Sequence, residues 1–337
     1  MNILLTGGTG YIGSHTAIAL HTVGHQVVLY DNLSNSHINV LTALEKITGQ
    51  SPAFIEGDIR DTSKLKEVFS HHSIDAVIHF AGHKAVGESV QIPIEYYANN
   101  VQGTISLLQA MESAQINNLV FSSSATVYGD PQYLPIDEKH PTGPTNPYGR
   151  TKLHIEEILQ DLVKANAKWR VASLRYFNPV GAHASGLIGE NPNGIPNNLM
   201  PFIAQVAVGK LACLNVFGND YPTPDGTGVR DYIHIMDLAE GHVAALAFLS
   251  KNPGWHTINL GTGQGYSVLD IVTAFELASQ TNIPYSITER RPGDISTCYA
   301  DVQKAKELLA WQAQRNLNDI CSSTWKFQTT LKNTSVI

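Results

Sequence analysis

Thr6-Gly7-Gly8-Thr9-Gly10-Tyr11-Ile12-Gly13 follows an apolar run, Asn2-Ile3-Leu4-Leu5, and leads into a helical pattern over 12–23. Glycines 8, 10 and 13 satisfy G-x-G-x-x-G, and glycines 7, 10 and 13 satisfy G-x-x-G-x-x-G. Without side chains the backbone can approach a pyrophosphate, whose charge then lies on the helix N-terminus. A plain glycine-rich turn would satisfy the loop alone, so its surroundings decide. The next apolar run ends Leu29-Tyr30-Asp31, which places a carboxylate 18 residues past Gly13. A carboxylate there accepts from two ribose hydroxyls and repels a 2′-phosphate, so strand, loop, helix and acid together predict an NAD site rather than an NADP site.

Working outward, further strand-like runs lie at Gln26–Tyr30, Ala53–Glu56, Ala76–Phe80, Leu119–Ser123 and Val171–Arg175. They are near-continuous apolar segments, as parallel strands buried on both faces require. Helical patterns separate them at 62–71, 93–114 and 148–166. The alternation predicts right-handed βαβ crossovers and a doubly wound, Rossmann-type parallel sheet over residues 1–180. Beyond that the pattern changes. Residues 181–198 are rich in Gly, Pro and Asn, and 218–229 form a second long loop. Loops of this length in compact proteins are usually functional. A helix near 236–250, a strand at His256–Leu260, a helix near 268–279 and strand-like segments at 285–288 and 296–300 follow. We expect a smaller α/β lobe over 181–337, interleaved with the first and carrying the substrate.

The 337 residues are 43% hydrophobic and 15% charged, which excludes disordered and coiled-coil classes. A net charge of −7 gives no basic stripe for a nucleic acid. An anionic ligand must therefore be held by a few placed arginines. Three cysteines, Cys213, Cys298 and Cys321, lie far apart and form no C-x-x-C, which fits a reducing compartment. The start of the chain has no signal-peptide pattern, and no apolar run reaches membrane-spanning length. The expectation is a soluble, cytoplasmic protein. The fourteen histidines contain no H-E-x-x-H or comparable spacing, so no metal site is expected. Ser122–Ser124 lacks the G-x-S-x-G of a hydrolase elbow. Gly261-Thr262-Gly263-Gln264-Gly265 also follows a strand, but with the nucleotide loop already placed it reads as a turn.

Tyr148-Gly149-Arg150-Thr151-Lys152 places a phenol and an amine one helical turn apart. Such a pair alone fits a solvated helix face. The strand ending Ser122-Ser123-Ser124 gives it context, because it supplies hydroxyls at the C-terminal sheet edge, where ligands bind in this architecture. Tyrosine ionises near 10, so a base useful near pH 7 needs about three units of depression. An ammonium about 5 Å away contributes roughly 3 kcal/mol at an effective dielectric of about 20, or about 2.4 units. Oxidised nicotinamide would add more. Tyr148 as base, Lys152 as electrostatic partner and Ser124 as hydroxyl ligand make a workable alcohol-oxidising set.

Together, the loop at 7–13, Asp31, Gly57-Asp58-Ile59, Phe80-Ala81-Gly82, Ser122–Gly129 and Tyr148-x-x-x-Lys152 resemble the extended short-chain dehydrogenase/reductase superfamily. More narrowly, Ala85-Val86-Gly87-Glu88-Ser89, Arg175-Tyr176-Phe177-Asn178-Pro179, Pro196-Asn197-Asn198-Leu199-Met200-Pro201 and Asp225–His234 resemble the UDP-glucose 4-epimerase family, from residue 2 to about 327. In sugar-nucleotide dehydratases of the superfamily, Asp-Glu follows the active hydroxyl residue; here Ala125 and Thr126 stand there, and neither can shuttle that proton.

The resemblance implies oxidation at C4 of a UDP-hexose with tightly held NAD, rotation of the 4-keto sugar about its anchored UDP, and return of the hydride on the other face. It implies that Gly7, Gly10, Tyr11, Ile12, Gly13, Asp31, Asn32, Asn35, Ser36, Asp58, Ile59, Phe80, Ala81, Gly82, Lys84, Asn99, Ser122, Tyr148, Lys152 and Phe177 line the NAD site. It implies that Ser124, Tyr148, Asn178, Asn198, Leu199, Asn215, Phe217, Tyr232, Asp294 and Cys298 line the UDP-sugar site, with Arg230 and Arg291 on the diphosphate. Cys298 takes a pocket-wall position where some members carry tyrosine; the smaller side chain implies room for 2-acetamido sugars. A homodimer through the helices over 93–114 and 148–166 is implied as well. A UDP-pentose or UDP-uronate 4-epimerase is the nearest alternative, and a non-catalytic NAD sensor is the alternative outside enzymes. The latter would keep the glycine loop without needing the Tyr–Lys pair. At this length no appended mutarotase domain is expected.

Overall fold

The computed structural model describes residues 1–291 and 293–334; Pro292 and residues 335–337 lie outside the description. The first half of the chain runs β1 (Asn2–Thr6), α1 (Tyr11–Thr22), β2 (Gln26–Asp31), α2 (Asn39–Thr48), β3 (Ala53–Glu56), α3 (Thr62–His71) and β4 (Ala76–His79). It continues with α4 (Val86–Gln91), α5 (Pro93–Tyr96), α6 (Gly103–Ser113), β5 (Asn118–Ser124), α7 (Pro147–Ala165) and β6 (Arg170–Tyr176). These strands stand side by side in the order β6-β5-β4-β1-β2-β3, every pairing parallel. Apolar residues pointing alternately to the two faces make this possible. Ile3 and Leu5 enter the core layer with Leu20 and Leu29, whereas Leu4 and Val77 enter the opposite layer with Leu107 and Trp169. The chain leaves β1 in one direction and returns through β4 on its other side. The crevice for a ligand therefore opens between β1 and β4, at their C-terminal ends.

The second half comprises β7 (Asn178–Val180), α8 (Leu199–Ala207), β8 (Leu214–Phe217), β9 (Val229–His234), α9 (Ile235–Leu249) and β10 (Gly254–Leu260). It ends with β11 (Gly265–Ser267), α10 (Val268–Ser279), β12 (Tyr285–Thr288), β13 (Thr297–Cys298), α11 (Gln303–Leu309) and α12 (Leu317–Thr334). Here β10 returns to the large sheet and pairs with β6, making seven strands. A smaller sheet forms around β9, which pairs with β7, β11 and β13. β8 and β12 pair separately. A third core layer joins α8, α10 and α12 to Val216 and Tyr232.

Two sequence expectations change. The helix over 93–114 is interrupted: Pro93 opens α5, and a π-helical turn at Tyr97–Gln102 precedes α6. The wide turn is held by Asn100, whose amide donates to the His83 carbonyl at 3.0 Å and to Thr151 Oγ1 at 3.1 Å. Such turns gather at functional sites, and this one buries Asn99. The strand over 296–300 shrinks to β13, because Ala300 N donates to the side chain of Asp231 instead of to a neighbouring strand.

Candidate active site

The cofactor end begins with glycine geometry. Gly7 has φ +69, and a Cβ there would stand 2.7 Å from Ala81 N, so the loop after β1 touches the segment after β4 across the crevice. A Cβ on Gly13 would lie 2.3 Å from the Gly7 carbonyl. No other residue allows this approach, and the loop leaves its surface bare for a pyrophosphate. Asp31 ends β2 nearly buried; Thr9 N, Leu33 N and Ser36 Oγ donate to it at 3.1, 2.9 and 3.2 Å. Asn32 and Asn35 are exposed beside it. The donor set suits a dinucleotide's ribose and diphosphate. Asp58 is grasped by Arg60 at 2.9 Å, and that guanidinium pulls its carboxyl down to about 2. Ile59 is buried against α6 and Phe80 packs edge-on to His242. Ala81, exposed Gly82, Lys84 and buried Asn99 complete the wall after β4. Tyr11, from the first turn of α1, donates to the Gly181 carbonyl at 2.7 Å. Ile12 packs on the core beside it.

The catalytic candidates come together at the ends of β5 and α7. Asn146 caps α7, accepting from Gly149 N at 2.9 Å, and Pro147 opens the first turn, so Tyr148 is fixed at the helix entrance. Lys152, one turn on and 5% exposed, donates to the Ser122 carbonyl at 2.6 Å. Its ammonium stands 5.9 Å from the Tyr148 ring centroid. Burial lowers the Lys152 pKa to about 8, against a raising effect of Glu156. Ser124 Oγ accepts from Thr126 Oγ1 at 3.0 Å. Burial raises the Tyr148 pKa, and its hydrogen bond with Ser124 only partly offsets this. The expected depression by Lys152 alone is thus corrected: in the protein by itself desolvation wins, and activation of the phenol needs a further positive charge.

At the substrate end, strand register assembles residues far apart in sequence. Asn178 lies opposite Tyr232, and Cys298 opposite Arg230. Burial pushes the Tyr232 phenol up to about 12, while Arg230 and Arg291 both oppose it, which places the two cations around one ring. Arg291 lies over the Phe217 ring at 4.5 Å and donates to Asp294 at 2.9 Å. Asn215 accepts from Ser286 Oγ at 3.2 Å on the β8–β12 ribbon. Leu199 packs into the layer containing Tyr232, and Asn198 donates to Glu190 at 2.8 Å. Phe177 and Cys298 share a buried cluster with Val127, close after Ser124, so β13 packs beside the end of β5. Gly261-Thr262-Gly263 turns around Asp231, whose carboxylate accepts from Thr262 N and Gly263 N at 2.9 and 3.0 Å.

Comparison with known proteins agrees with this arrangement. A family model described as GDP-mannose 4,6 dehydratase matches residues 4–324. UDP-glucose 4-epimerase of Bacillus subtilis is 58% identical over 333 residues, 99% of this chain and 98% of the relative. The chain belongs to the UDP-glucose 4-epimerase family. A crystal structure of UDP-glucose-4-epimerase from Stenotrophomonas maltophila with NAD and formylated UDP-arabinopyranose superimposes with a TM-score of 0.97 at 51% identity, covering 99% of both chains. The Bifidobacterium longum enzyme with NAD+ and UDP gives 0.96 at 51% identity, again over 99% of each.

Some residues escaped the sequence reading. Glu156, fully buried, pairs with Arg175 at 2.5 Å and accepts from Ser123 and Ser173. It lies two helical turns after Tyr148, a spacing visible in the sequence, but its partners come from other strands. The same holds for Asp231, whose donors come from two separate segments, Thr262–Gly263 and Ala300. Among the described residues no group of His, Cys, Asp and Glu could hold a metal ion, and no helix is long and apolar enough to cross a membrane.

Proposed function

We propose that the protein interconverts UDP-galactose and UDP-glucose, with NAD retained throughout the cycle. The observation that carries this reading is the convergence of Tyr148, Lys152 and Ser124 at the β5 edge, with Ala125 and Thr126 where an eliminating acid pair would stand. The glycine loop and Asp31 would hold NAD, which when bound supplies a hydride acceptor and a positive charge beside the phenol. Tyr148 Oη takes the proton of the sugar 4′-hydroxyl and later returns it, Ser124 Oγ aligns that oxygen, and Lys152 holds charge beneath both. Arg230 and Arg291 grip the diphosphate, with Asn178, Asn198, Leu199, Asn215, Phe217, Tyr232 and Asp294 around the rest. Firm binding of the remote nucleotide lets the hexose turn without loss of the ketone. Incubating the purified protein with UDP-galactose, without added NAD, should yield UDP-glucose; no turnover with NAD confirmed bound would remove this reading.

Two finer points belong to the same proposal. Val86, Val90, Ile92, Ile94 and Ile105 are exposed on α4 to α6, which supports a two-fold homodimer through that face together with α7. Light scattering should give about twice 36.7 kDa. Three free cysteines support a reducing, cytoplasmic setting. A second reading extends the substrates to UDP-N-acetylglucosamine and UDP-N-acetylgalactosamine. Cys298 favours it, because it is 7% exposed in the cluster with Phe177, whereas Tyr299 faces Gly265.

A further inference from the structure

Glu190 belongs to no strand or helix and to none of the motifs read above, yet one of its oxygens joins both walls of the site. Its Oε1 accepts from Lys84 Nζ at 2.8 Å and from Asn198 Nδ2 at 2.8 Å. Lys84 follows β4 on the cofactor wall; Asn198 starts α8 on the substrate wall. The carboxylate side chain is only 10% exposed, while its two donors, Lys84 at 47% and Asn198, face solvent. It also reaches the glycine-loop end, since its charge helps raise the Tyr11 pKa, and the Lys84 ammonium lies 5.9 Å from the Tyr11 ring centroid.

The base of Glu190 is rigid. Ala182 and Gly189 form an antiparallel bridge, His183 N donates to the Ile188 carbonyl at 3.2 Å, and a Cβ on Gly189 would meet the Phe327 ring at 2.4 Å. Asn198, by contrast, stands at a helix N-cap and makes no capping bond with its side chain. An asparagine there ordinarily accepts from the helix's own amides. Here its amide is directed to Glu190 instead, so the orientation of the residue at the mouth of the substrate wall depends on a carboxylate shared with the cofactor wall.

We propose that Glu190 is a positioning residue that couples the two halves of the site, presenting Asn198 to the nucleotide sugar under the control of Lys84. The inference rests on the UDP-sugar reading given above. A shared acceptor makes the two walls thermodynamically linked: what engages Lys84 changes how firmly Glu190 holds Asn198, and the reverse.

The test measures UDP affinity by calorimetry on the protein as purified, with its NAD content quantified, and turnover of UDP-galactose in parallel. Glu190→Ala should weaken UDP binding about tenfold, the scale of one charge-assisted hydrogen bond. It should raise KM by a similar factor and leave kcat within about threefold, because the carboxylate touches no reacting atom. Glu190→Gln keeps an oxygen for Asn198 and should recover most of the affinity. Compared at equal NAD content, Lys84→Met should weaken UDP binding about threefold beside native Glu190 and have no effect beside Glu190→Ala, a non-additivity expected of residues sharing one contact. Equal effects of Lys84→Met in both backgrounds, or a Glu190→Ala affinity within twofold of wild type, would overturn the coupling. The two readings fail separately. A wild type that binds UDP but does not convert UDP-galactose removes the proposed activity and leaves the binding cycle to be judged by itself.

Discussion

Along the C-terminal edge of the seven-stranded sheet, the glycine loop and Asp31 assigned to the cofactor are fixed by backbone; near β9, the groups assigned to the substrate include a half-exposed ion pair. At the first end, Gly7 and Gly13 have no room for a methyl group, and Asp31 is held by three donors of its own chain. At the second, Arg291 pairs with Asp294 while 53% exposed. A half-exposed ion pair contributes about 0–1 kcal/mol, so exchanging that carboxylate for a ligand's diphosphate costs little. The contrast matches a cofactor that stays and a substrate that comes and goes, since a preformed site gives up little ordering entropy on binding.

The sharpest way to break this comparison is at the group between the two ends. Tyr148→Phe should lower kcat by about 10³-fold or more, at the upper part of the range for a lost acid–base group. UDP affinity should stay within about twofold, because the phenol's ring and its packing remain. Steady-state rates and calorimetry check both. Retention of most activity would show that another group carries the proton, and a parallel loss of UDP affinity would show that the ends are not separable.

The substrate end can be broken alone. Arg230→Met should weaken UDP binding about 10- to 100-fold, as removal of a charge-assisted contact to a phosphate does. The NAD recovered on denaturation should be unchanged. Arg230 Nη1 is anchored to the Val229 carbonyl at 2.9 Å, so the variant loses a positioned cation rather than a mobile one. Loss of NAD along with UDP would mean that the small sheet also supports the cofactor.

How much of this was legible in the sequence differs between the ends for a physical reason. Strands buried on both faces must be apolar throughout, so Asn2–Thr6 could be bounded from its apolar run, and the helix over 62–71 from its period. The glycine loop declared itself because only glycine tolerates its contacts. Strands β7 and β8 are short, and β9 carries Arg230 and Asp231 among its residues, so no period marks it. Its residues became readable through family motifs. Glu190 and Asp231 were missed because their partners are brought in by tertiary folding from distant segments, and no local pattern encodes such a meeting. The helices α2, α8, α11 and α12 were missed as well; α2 lies on the surface with Leu44 alone buried, and α8 and α11 are nine and seven residues long.

Acid should sharpen the comparison from the other side. His15, His79, His234 and His242 are buried, and burial lowers their pKa values to about 3, 3, 3 and 4. The folded pKa values lie below the ordinary 6.5, so between the two the unfolded chain binds more protons, and stability falls as pH drops from about 6.5. At one unit below 6.5 each histidine costs about 1.4 kcal/mol. Two of the four brace the large sheet, since His79 bridges Thr6 and Thr104 at 2.6 and 2.9 Å and His242 bonds Tyr176, while His15 bonds the Tyr11 carbonyl within α1. Thermal melts at pH 7.5 and 5.5 should show a lower midpoint in acid, with NAD lost in step. A flat profile would mean that these rings are solvated and titrate near 6.5 in the folded protein as well.

The smallest effect concerns the wall where the two ends meet. Cys298 lies in the cluster with Val127, Tyr128 and Phe177, and burial raises its thiol to about 11, so at neutral pH it is an uncharged, compact side chain. Nothing about it requires sulfur chemistry; what it offers is size. Replacing it by tyrosine adds several heavy atoms on the pocket side of β13, and the neighbouring Tyr299 cannot compensate because alternate residues face opposite ways. An N-acetyl group at sugar C2 should then collide where a hydroxyl does not. Cys298→Tyr should reduce conversion between UDP-N-acetylglucosamine and UDP-N-acetylgalactosamine about tenfold relative to UDP-galactose, the usual scale for discrimination by pocket shape. The ratio of kcat/KM values is the measurement, because it cancels any general loss of stability. If wild type ignores the acetylated pair, or if both reactions fall equally in the variant, the side chain at 298 packs the core and sets no limit on the sugar.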